Sequence, residues 1–454
     1  MHLVGGCVRD ALLGREFHEF DLEAFRLTPE ALQRMLRGLG FQVDQVGRAF
    51  SVAKLRGLPI DIALPRRERK VGRRHRDFVV DADPNMGVEE AAERRDFTVN
   101  AISYDPLTGR VDDPLNGRAD LERRRLRHAS HRFAEDPLRV LRGMQFIARL
   151  GLESDPETET LCSRIDWRDL SIERVFGEWR KMLVDGVEIG RGLRFLQAVG
   201  WLPAYPELEA LVACEQDPEW HPEGDVWTHT GHVLDAFARD RLDDEKEDLV
   251  VGLACLCHDL GKPATTRFVD GRVRSRGHEA AGEGPTRTFL ARLTNRPRLV
   301  DDVVRLVVDH LKPRQLYQGG AGDAAVRRLA HRVKRIDRLV RVARADALGR
   351  PPLQPDECRD CDWLLARAKA LRIRDQAPEP MVRGRDLIDR GMAPGPAIGA
   401  MVDRCYQAQL NGDIGSRGEA LRYLDRMLRR ESAGKLRETR NDPTARQANP
   451  PVTR

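Results

Sequence analysis

Three acids occupy alternate positions in Glu19-Phe20-Asp21-Leu22-Glu23-Ala24-Phe25, which puts them on one face of an extended strand while Phe20, Leu22 and Ala24 take the other. Carboxylates gathered in this way repel one another unless a cation sits among them. Mg2+ takes one or two carboxylates together with substrate phosphate oxygens, and two such ions stabilise both the entering and the leaving oxygen of a phosphoryl displacement. Asp61, in the run Ile60-Asp-Ile-Ala-Leu64, is placed to add a further carboxylate. Upstream, His2-Leu3-Val4 leads through Gly5-Gly6 into Cys7-Val-Arg9-Asp-Ala-Leu-Leu-Gly14: strand, glycine turn, helix. Two glycines let the backbone approach a phosphate, the helix start offers unpaired N–H groups, and Arg9 adds positive charge. Each signal also has a plainer reading, a tight turn for the glycines and a solvated acidic face for the strand. The chemistry therefore rests on their occurring together.

A second set of ligating side chains lies downstream. His229 in Trp227-Thr-His-Thr230 is followed by His258-Asp259 in Cys257-His-Asp-Leu-Gly-Lys262, by His278, by His310, and by Asp346 in Ala345-Asp-Ala-Leu-Gly-Arg350. Histidine and aspartate on successive helices can converge on a divalent ion with one position left open for water, which the ion makes nucleophilic at neutral pH.

Two further segments complete the pattern, Arg94-Arg95-Asp96-Phe97-Thr98-Val99-Asn100-Ala101 and Phe133-Ala-Glu135-Asp136-Pro-Leu-Arg139-Val-Leu-Arg142. The glycine pair, the acidic strand and these two segments, in this order, resemble bacterial CCA-adding enzymes and their poly(A) polymerase relatives in the DNA polymerase β-like nucleotidyltransferase superfamily. The likeness runs from residue 1 to about 430. It implies an α+β chain: a head of mixed sheet and helices, then an all-α neck, an HD domain and a helical tail domain. It also implies that Gly5, Gly6, Arg9, Arg95 and Arg142 hold a nucleoside triphosphate and that the acidic strand holds Mg2+. Which acids do so stays open: counted from the glycines the pair is Glu19 and Asp21, whereas by residue type it is Asp21 and Glu23. Gln145 stands where some relatives carry a further nucleotide-contacting arginine. The later set looks like the HD phosphohydrolase superfamily, with His229, His258, Asp259 and Asp346 as ligands of a second divalent metal and His278 and His310 as accessory residues. Some CCA-adding enzymes carry such a domain with phosphatase and 2′,3′-cyclic phosphodiesterase activity.

Base choice without a template is readable from the fourth motif. Asp136 and Arg139 are three residues apart at a helix start and so share a face. An ionised aspartate only accepts hydrogen bonds and an arginine only donates them. Cytosine and adenine each present an amine donor beside a ring-nitrogen acceptor, whereas uracil and guanine present a carbonyl beside a ring N–H. One acceptor beside one donor thus selects C and A. Asp136 before Pro137 is equally a helix cap.

The elements that must position these groups follow from patterning. Residues 1–125 mix short strand-like runs (20–25, 51–55, 60–64, 99–104) with helices, and from about 130 the pattern is helical nearly throughout. Breaks at Trp201-Leu-Pro203, His221-Pro-Glu-Gly224 and Pro351-Pro352-Leu-Gln-Pro355 suggest a head at 1–125, a neck at 126–220, an HD domain at 221–350, a linker at 351–379, a helical tail at 380–432 and a disordered end at 433–454. With 454 residues, 33% charged and 6% aromatic, and no apolar run near the roughly 20 residues a spanning helix needs, the chain reads as cytoplasmic, with no membrane partner. The net charge is +5, and arginine clusters at 66–76 and 123–125 suit a polyanion. The eight cysteines are scattered, so neither disulfides nor structural zinc are expected. The expected partners are tRNA, CTP and ATP, with no obligate protein partner implied. The rival expectations are a relative that adds only A, adds only CC or extends poly(A), and an HD phosphohydrolase whose head merely binds nucleotide or RNA.

Overall fold

The computed structural model describes residues 1–45, 52–70, 78–353 and 358–440. They fall into two compact units, one made of the described residues of 1–308 and 345–355, the other of 309–344 and the described chain after 357.

The first unit opens with nine short strands: β1 His2–Val4, β2 Phe20–Glu23, β3 Val43–Gln45, β4 Val52–Leu55, β5 Ile60–Ala63, β6 Arg66–Lys70, β7 Phe78–Ala82, β8 Ser103–Asp105 and β9 Arg110–Asp112. Seven form a mixed sheet in the order β3-β4-β5-β2-β1-β8-β9, and β6 pairs with β7 as a separate ribbon. Within that sheet β2 and β5 run parallel, with Asp21 opposite Asp61, while the other pairs are antiparallel. The helix Pro29–Gly38 starts where the Thr28 hydroxyl accepts the Ala31 N–H at 3.3 Å. Its Leu32 and Leu36, four residues apart, reach a small core with Ala24, Leu55, Ile62 and Leu64. The acids of β2 thereby ride on a strand anchored from behind.

Two strand expectations in the head need correcting. Phe20 does not face the core; it is 36% exposed and packs edge-on against Phe17, because the core behind β2 closes over Leu22 and Ala24. The run 99–104 is not one strand: Thr98–Asn100 is a single 3-10 turn, held by the Thr98 hydroxyl donating to Asp120 at 2.7 Å, and the strand begins at Ser103.

After the head the chain is helical apart from short pairings such as the hairpin Arg267–Val269 with Arg272–Arg274. Leu138–Leu150 is buried along most of its length and crosses Ile189–Ala198 so closely that a β-carbon at Gly192 would lie 2.8 Å from the Met144 carbonyl oxygen. Phe97 meets Phe133 and Phe146 edge-on, tying head to neck, and Trp179 and Tyr205 of the neck meet Phe289 of the HD segment in the same manner.

In the second unit the segment expected as a linker contains the helix Arg359–Ala370, which buries Cys361, Leu364 and Ala368 against its neighbours. Its apolar spacing is short and interrupted by arginines and aspartates, which hid it. Cys358 and Cys361 are free thiols with sulfurs 3.3 Å apart. The tail builds its own core from Val382, Leu387, Met401, Cys405, Ile414, Leu424 and Met427. The last helix, Arg417–Arg440, continues past 432, where a disordered end is expected. Lys435, Leu436, Arg437 and Glu438 are good helix formers, and extending a helix is far easier than starting one. Residues 441–454 lie outside the described residues, as do Ser51, Pro355 and the Arg73, Arg74 and Arg76 part of the basic run. Among the described residues no helix is long and apolar enough to cross a membrane.

Candidate functional site

At the head, three sequence-predicted groups meet at the glycine turn. Gly5 has φ +72° and ψ −132°, a conformation essentially confined to glycine. A β-carbon there would lie 3.3 Å from Arg95 Nη1 and 3.5 Å from Asp21 Oδ2, so the bare backbone sits against a guanidinium and a carboxylate at once. Arg95 also donates to Glu23 Oε2 at 2.9 Å, while Asp61 receives Lys54 Nζ at 2.6 Å. Asp21 lies between these pairs. Burial raises its pKa above the usual carboxylate value, Arg95 opposes the rise, and Asp61 and Glu19 add to it. Glu19 is exposed and precedes the strand. A half-buried Asp21 with Asp61 opposite it on the parallel strand is costly without a cation, and this donor chemistry fits a divalent ion held through oxygen.

A second layer lies beneath the turn. Arg9 is buried, donates to Asn100 Oδ1 at 2.7 Å and to both oxygens of Asp10, and its guanidinium lies 5.1 Å from the Phe146 ring centre. Arg142 approaches the same ring at 5.3 Å and donates through Nε to Asp96 at 2.7 Å. Burial alone would raise Asp96, but Arg142, Asn100 and the Phe97 N–H hold it at about 2. Gln145 is buried and accepts from Arg149 at 3.0 Å.

Asp136 and Arg139 have separate partners. Asp136 is extended, just before Leu138–Leu150; one of its oxygens accepts the Leu138 N–H at 3.1 Å and the other receives Arg174 Nη2 at 2.6 Å. Arg139 donates to the Arg132 and Arg94 carbonyls at 3.0 and 2.6 Å. Asp136 thus accepts an N–H at the helix start, although Pro137 is the residue that caps it, and its arginine partner is Arg174 rather than Arg139, which motif spacing could not indicate.

The second constellation is buried. His229 comes from the helix Val226–Arg239, His258 and Asp259 from the end of Glu245–Cys257, and Asp346 from near the end of Ile336–Leu348. His229 Nε2 lies 3.4 Å from His258 Nε2 and 3.1 Å from Asp346 Oδ1, and His258 Nε2 lies 3.1 Å from Asp259 Oδ2. His258 Nδ1 faces the Cys255 carbonyl at 2.8 Å, and His229 Nδ1 the Gly349 carbonyl at 3.1 Å. A carbonyl only accepts, so each ring carries its proton on Nδ1 and turns the Nε2 lone pair inward. Two imidazoles and the Asp346 carboxylate converging on one buried point, with Asp259 touching His258 at its edge, fit a divalent cation. Asp259 and Asp346 are both held well below the usual range: burial opposes ionisation, but His258 and Lys262 overcome it for Asp259, and Arg350 and His229 for Asp346. Lys262 lies 2.7 Å from Asp259, and Arg350 2.6 Å from Asp346. His278 Nε2 is 3.2 Å from Asp259 Oδ1. His310 is buried one residue beyond the helix Pro297–Asp309, among the first residues of the second unit.

Several residues around these sites carried no role in the sequence reading: Lys54, Asp96, Asn100, Arg174, His221, Glu223 and Arg350. His221 and Glu223 stood in plain sight in a Pro-Gly segment that reads as a turn.

Both segments of the chain match known proteins. A profile of the poly A polymerase head domain matches residues 1–127, and one of the HD domain matches residues 226–348. The fold is shared with the crystal structure of the Bacillus stearothermophilus CCA-adding enzyme in complex with CTP, at a TM-score of 0.63 and 23% identity over 95% of this chain and 94% of that one. It is also shared with the Thermotoga maritima CCA-adding enzyme complexed with tRNA, at a TM-score of 0.55 and 18% identity, covering 94% and 91%. Fold and site thus define a nucleotidyltransferase head joined to an HD domain. The multifunctional CCA protein of Stenotrophomonas maltophilia is 38% identical over 417 residues, 88% of this chain and 96% of that protein, and that of Xanthomonas campestris is 38% identical over 368 residues, 77% and 85%. The chain belongs to the multifunctional CCA protein family.

Proposed function

We propose that this protein completes tRNA 3′ ends by adding C, C and A from CTP and ATP, and that its HD domain hydrolyses phosphoesters. The observation that carries the first part is the meeting of Asp21 and Arg95 at the Gly5 turn, with Asp61 alongside. Mg2+ bound by the acids would neutralise the triphosphate and lower the pKa of the attacking hydroxyl. Asp21 would hold it with Glu19, since Glu23 is already engaged by Arg95 and Asp61 by Lys54; this favours the register counted from the glycines. Gly5 and Gly6 admit the phosphates to the backbone, and Arg9, Arg95 and Arg142 supply positive charge. The RNA 3′-oxygen displaces pyrophosphate from the α-phosphate with no covalent enzyme intermediate, so catalysis is positioning and charge stabilisation. Asp136 and Arg139 present the acceptor and donor that match C and A. In the HD domain, His229, His258, Asp259 and Asp346 would hold a second divalent ion that supplies a nucleophilic water, with His278 and His310 as the accessory residues the resemblance implies. A tRNA substrate fits the cytoplasmic address expected from the sequence.

The test is incubation of the full chain with tRNA lacking CCA, or ending in C or CC, with CTP and ATP separately and together. Addition limited to C and A, stopping at CCA and lost in Asp21→Asn, is expected. Equal use of UTP and GTP, or full addition by Asp21→Asn, overturns the reading.

A further inference from the structure

Among the buried groups that the proposed chemistry leaves without a role, the most ordered is a carboxylate between two histidines. Glu223 Oε1 lies 2.8 Å from His221 Nδ1 and 2.8 Å from His229 Nδ1, and its side chain is wholly shielded from solvent. His221 and His229 pack edge-on with ring centres 4.8 Å apart. A bare carboxylate is among the costliest groups to bury; here both histidines reach Oε1, while Oε2 finds no hydrogen-bond partner among the described residues.

The geometry points to Glu223 as a positioning residue that, together with His221, fixes His229 in the tautomer and orientation that present its Nε2 to a divalent ion shared with His258, Asp259 and Asp346; this rests on the hydrolase reading of the HD domain. His229 alone has no covalent restraint on its ring rotation. The Gly349 carbonyl at 3.1 Å and Glu223 at 2.8 Å flank the same Nδ1 and keep its proton there. An ionised carboxylate behind an imidazole also raises the basicity of the opposite nitrogen, which strengthens a metal bond. His221 supplies a donor to the same oxygen and so keeps Glu223 from turning away. The segment His221-Pro-Glu-Gly224 lies just before the helix that carries His229, so the carboxylate is delivered within eight residues of its target. Arg350 and Lys262 do not replace it, because they engage the carboxylates Asp346 and Asp259 on the other side of the ring.

The test uses the full chain with Co2+ as the probe, read by its visible absorption and by competition with a chromophoric chelator, for the wild type, Glu223→Ala, Glu223→Gln and the ligand variant His258→Ala. The wild type is expected to give a histidine-type Co2+ spectrum that His258→Ala abolishes. Glu223→Ala is expected to bind about 10- to 100-fold more weakly with an altered band shape. Glu223→Gln, which keeps an acceptor oxygen but not the charge, is expected to recover the band shape and part of the affinity. A purely structural role would lower thermal stability in both variants without separating Gln from Ala in the spectrum. Wild-type affinity and spectrum in Glu223→Ala overturn the positioning role. Absence of the His258-dependent spectrum in the wild type overturns the hydrolase reading itself.

Discussion

The Nε2 atoms of His229 and His258 face each other across 3.4 Å inside the first unit, with each Nδ1 proton directed at a backbone carbonyl. In that tautomer the facing atoms are both acceptors, so the arrangement is repulsive unless a cation lies between them. A divalent ion that binds the folded chain and not the unfolded one should therefore stabilise it by about 3 kcal/mol at a hundredfold excess over Kd. Thermal melting with and without Mn2+ checks this: the wild type gains stability, and His258→Ala loses most of the gain. Equal gains in both would remove the site.

Gly5 sets a second expectation. Its φ of +72° with ψ −132° strains any residue with a β-carbon, and that carbon would press on Arg95 and Asp21. Gly5→Ala should cost about 1–3 kcal/mol of stability. It should also lower nucleotide addition more than tenfold at temperatures where the protein stays folded. Denaturant melts and addition rates measured on one preparation separate the two effects. Addition at the wild-type rate would mean that the turn is only a turn.

Much of the head was legible because its signals are local. Alternation in Phe20–Glu23 and a glycine pair between a strand and a helix are short-range patterns, and the structure joins Asp21 and Gly5 through one strand pair and one turn. What could not be read were partners brought together by packing. Arg174 reaches Asp136 from a helix 38 residues on, and Asp96 is neutralised by Arg142 across the head–neck junction. Glu223 was overlooked for a different reason: proline and glycine around it announce a turn, and nothing local says that the turn is buried beside a histidine. The helix Arg359–Ala370 was hidden because its three buried residues do not fill a continuous apolar stripe.

Asp96 gives a pH dependence of stability with a definite sign. Its folded pKa of about 2 lies below the ordinary 3.8, so its contribution is fully present above about pH 4 and is lost as pH falls towards 2. The difference corresponds to about 2 kcal/mol. Unfolding free energy measured across this window should fall with pH more steeply in the wild type than in Asp96→Asn, which itself starts lower because the half-buried Arg142 loses its charge partner. Parallel curves for the two proteins would exclude Asp96 as the source.

The last expectation concerns base choice and rests on the division of labour at Asp136. One oxygen accepts the Leu138 N–H at the helix start, and the other is oriented by Arg174, whose side chain is itself about half exposed. An exposed ion pair adds little to stability, so Arg174→Met should leave the unfolding free energy within about 0.5 kcal/mol of the wild type. Any change in selectivity in that variant then reports the orientation of Asp136 rather than damage to the fold. Asp136→Ala removes the acceptor altogether. Losing one hydrogen bond of about 1–3 kcal/mol corresponds to a fall of roughly ten- to a hundredfold in the preference for C and A over U and G. The ratio of kcat/KM for CTP against UTP, measured on tRNA lacking its CCA, should therefore drop furthest in Asp136→Ala and less in Arg174→Met. If Asp136→Ala keeps the wild-type ratio, Asp136 serves only the helix start and the base is read elsewhere.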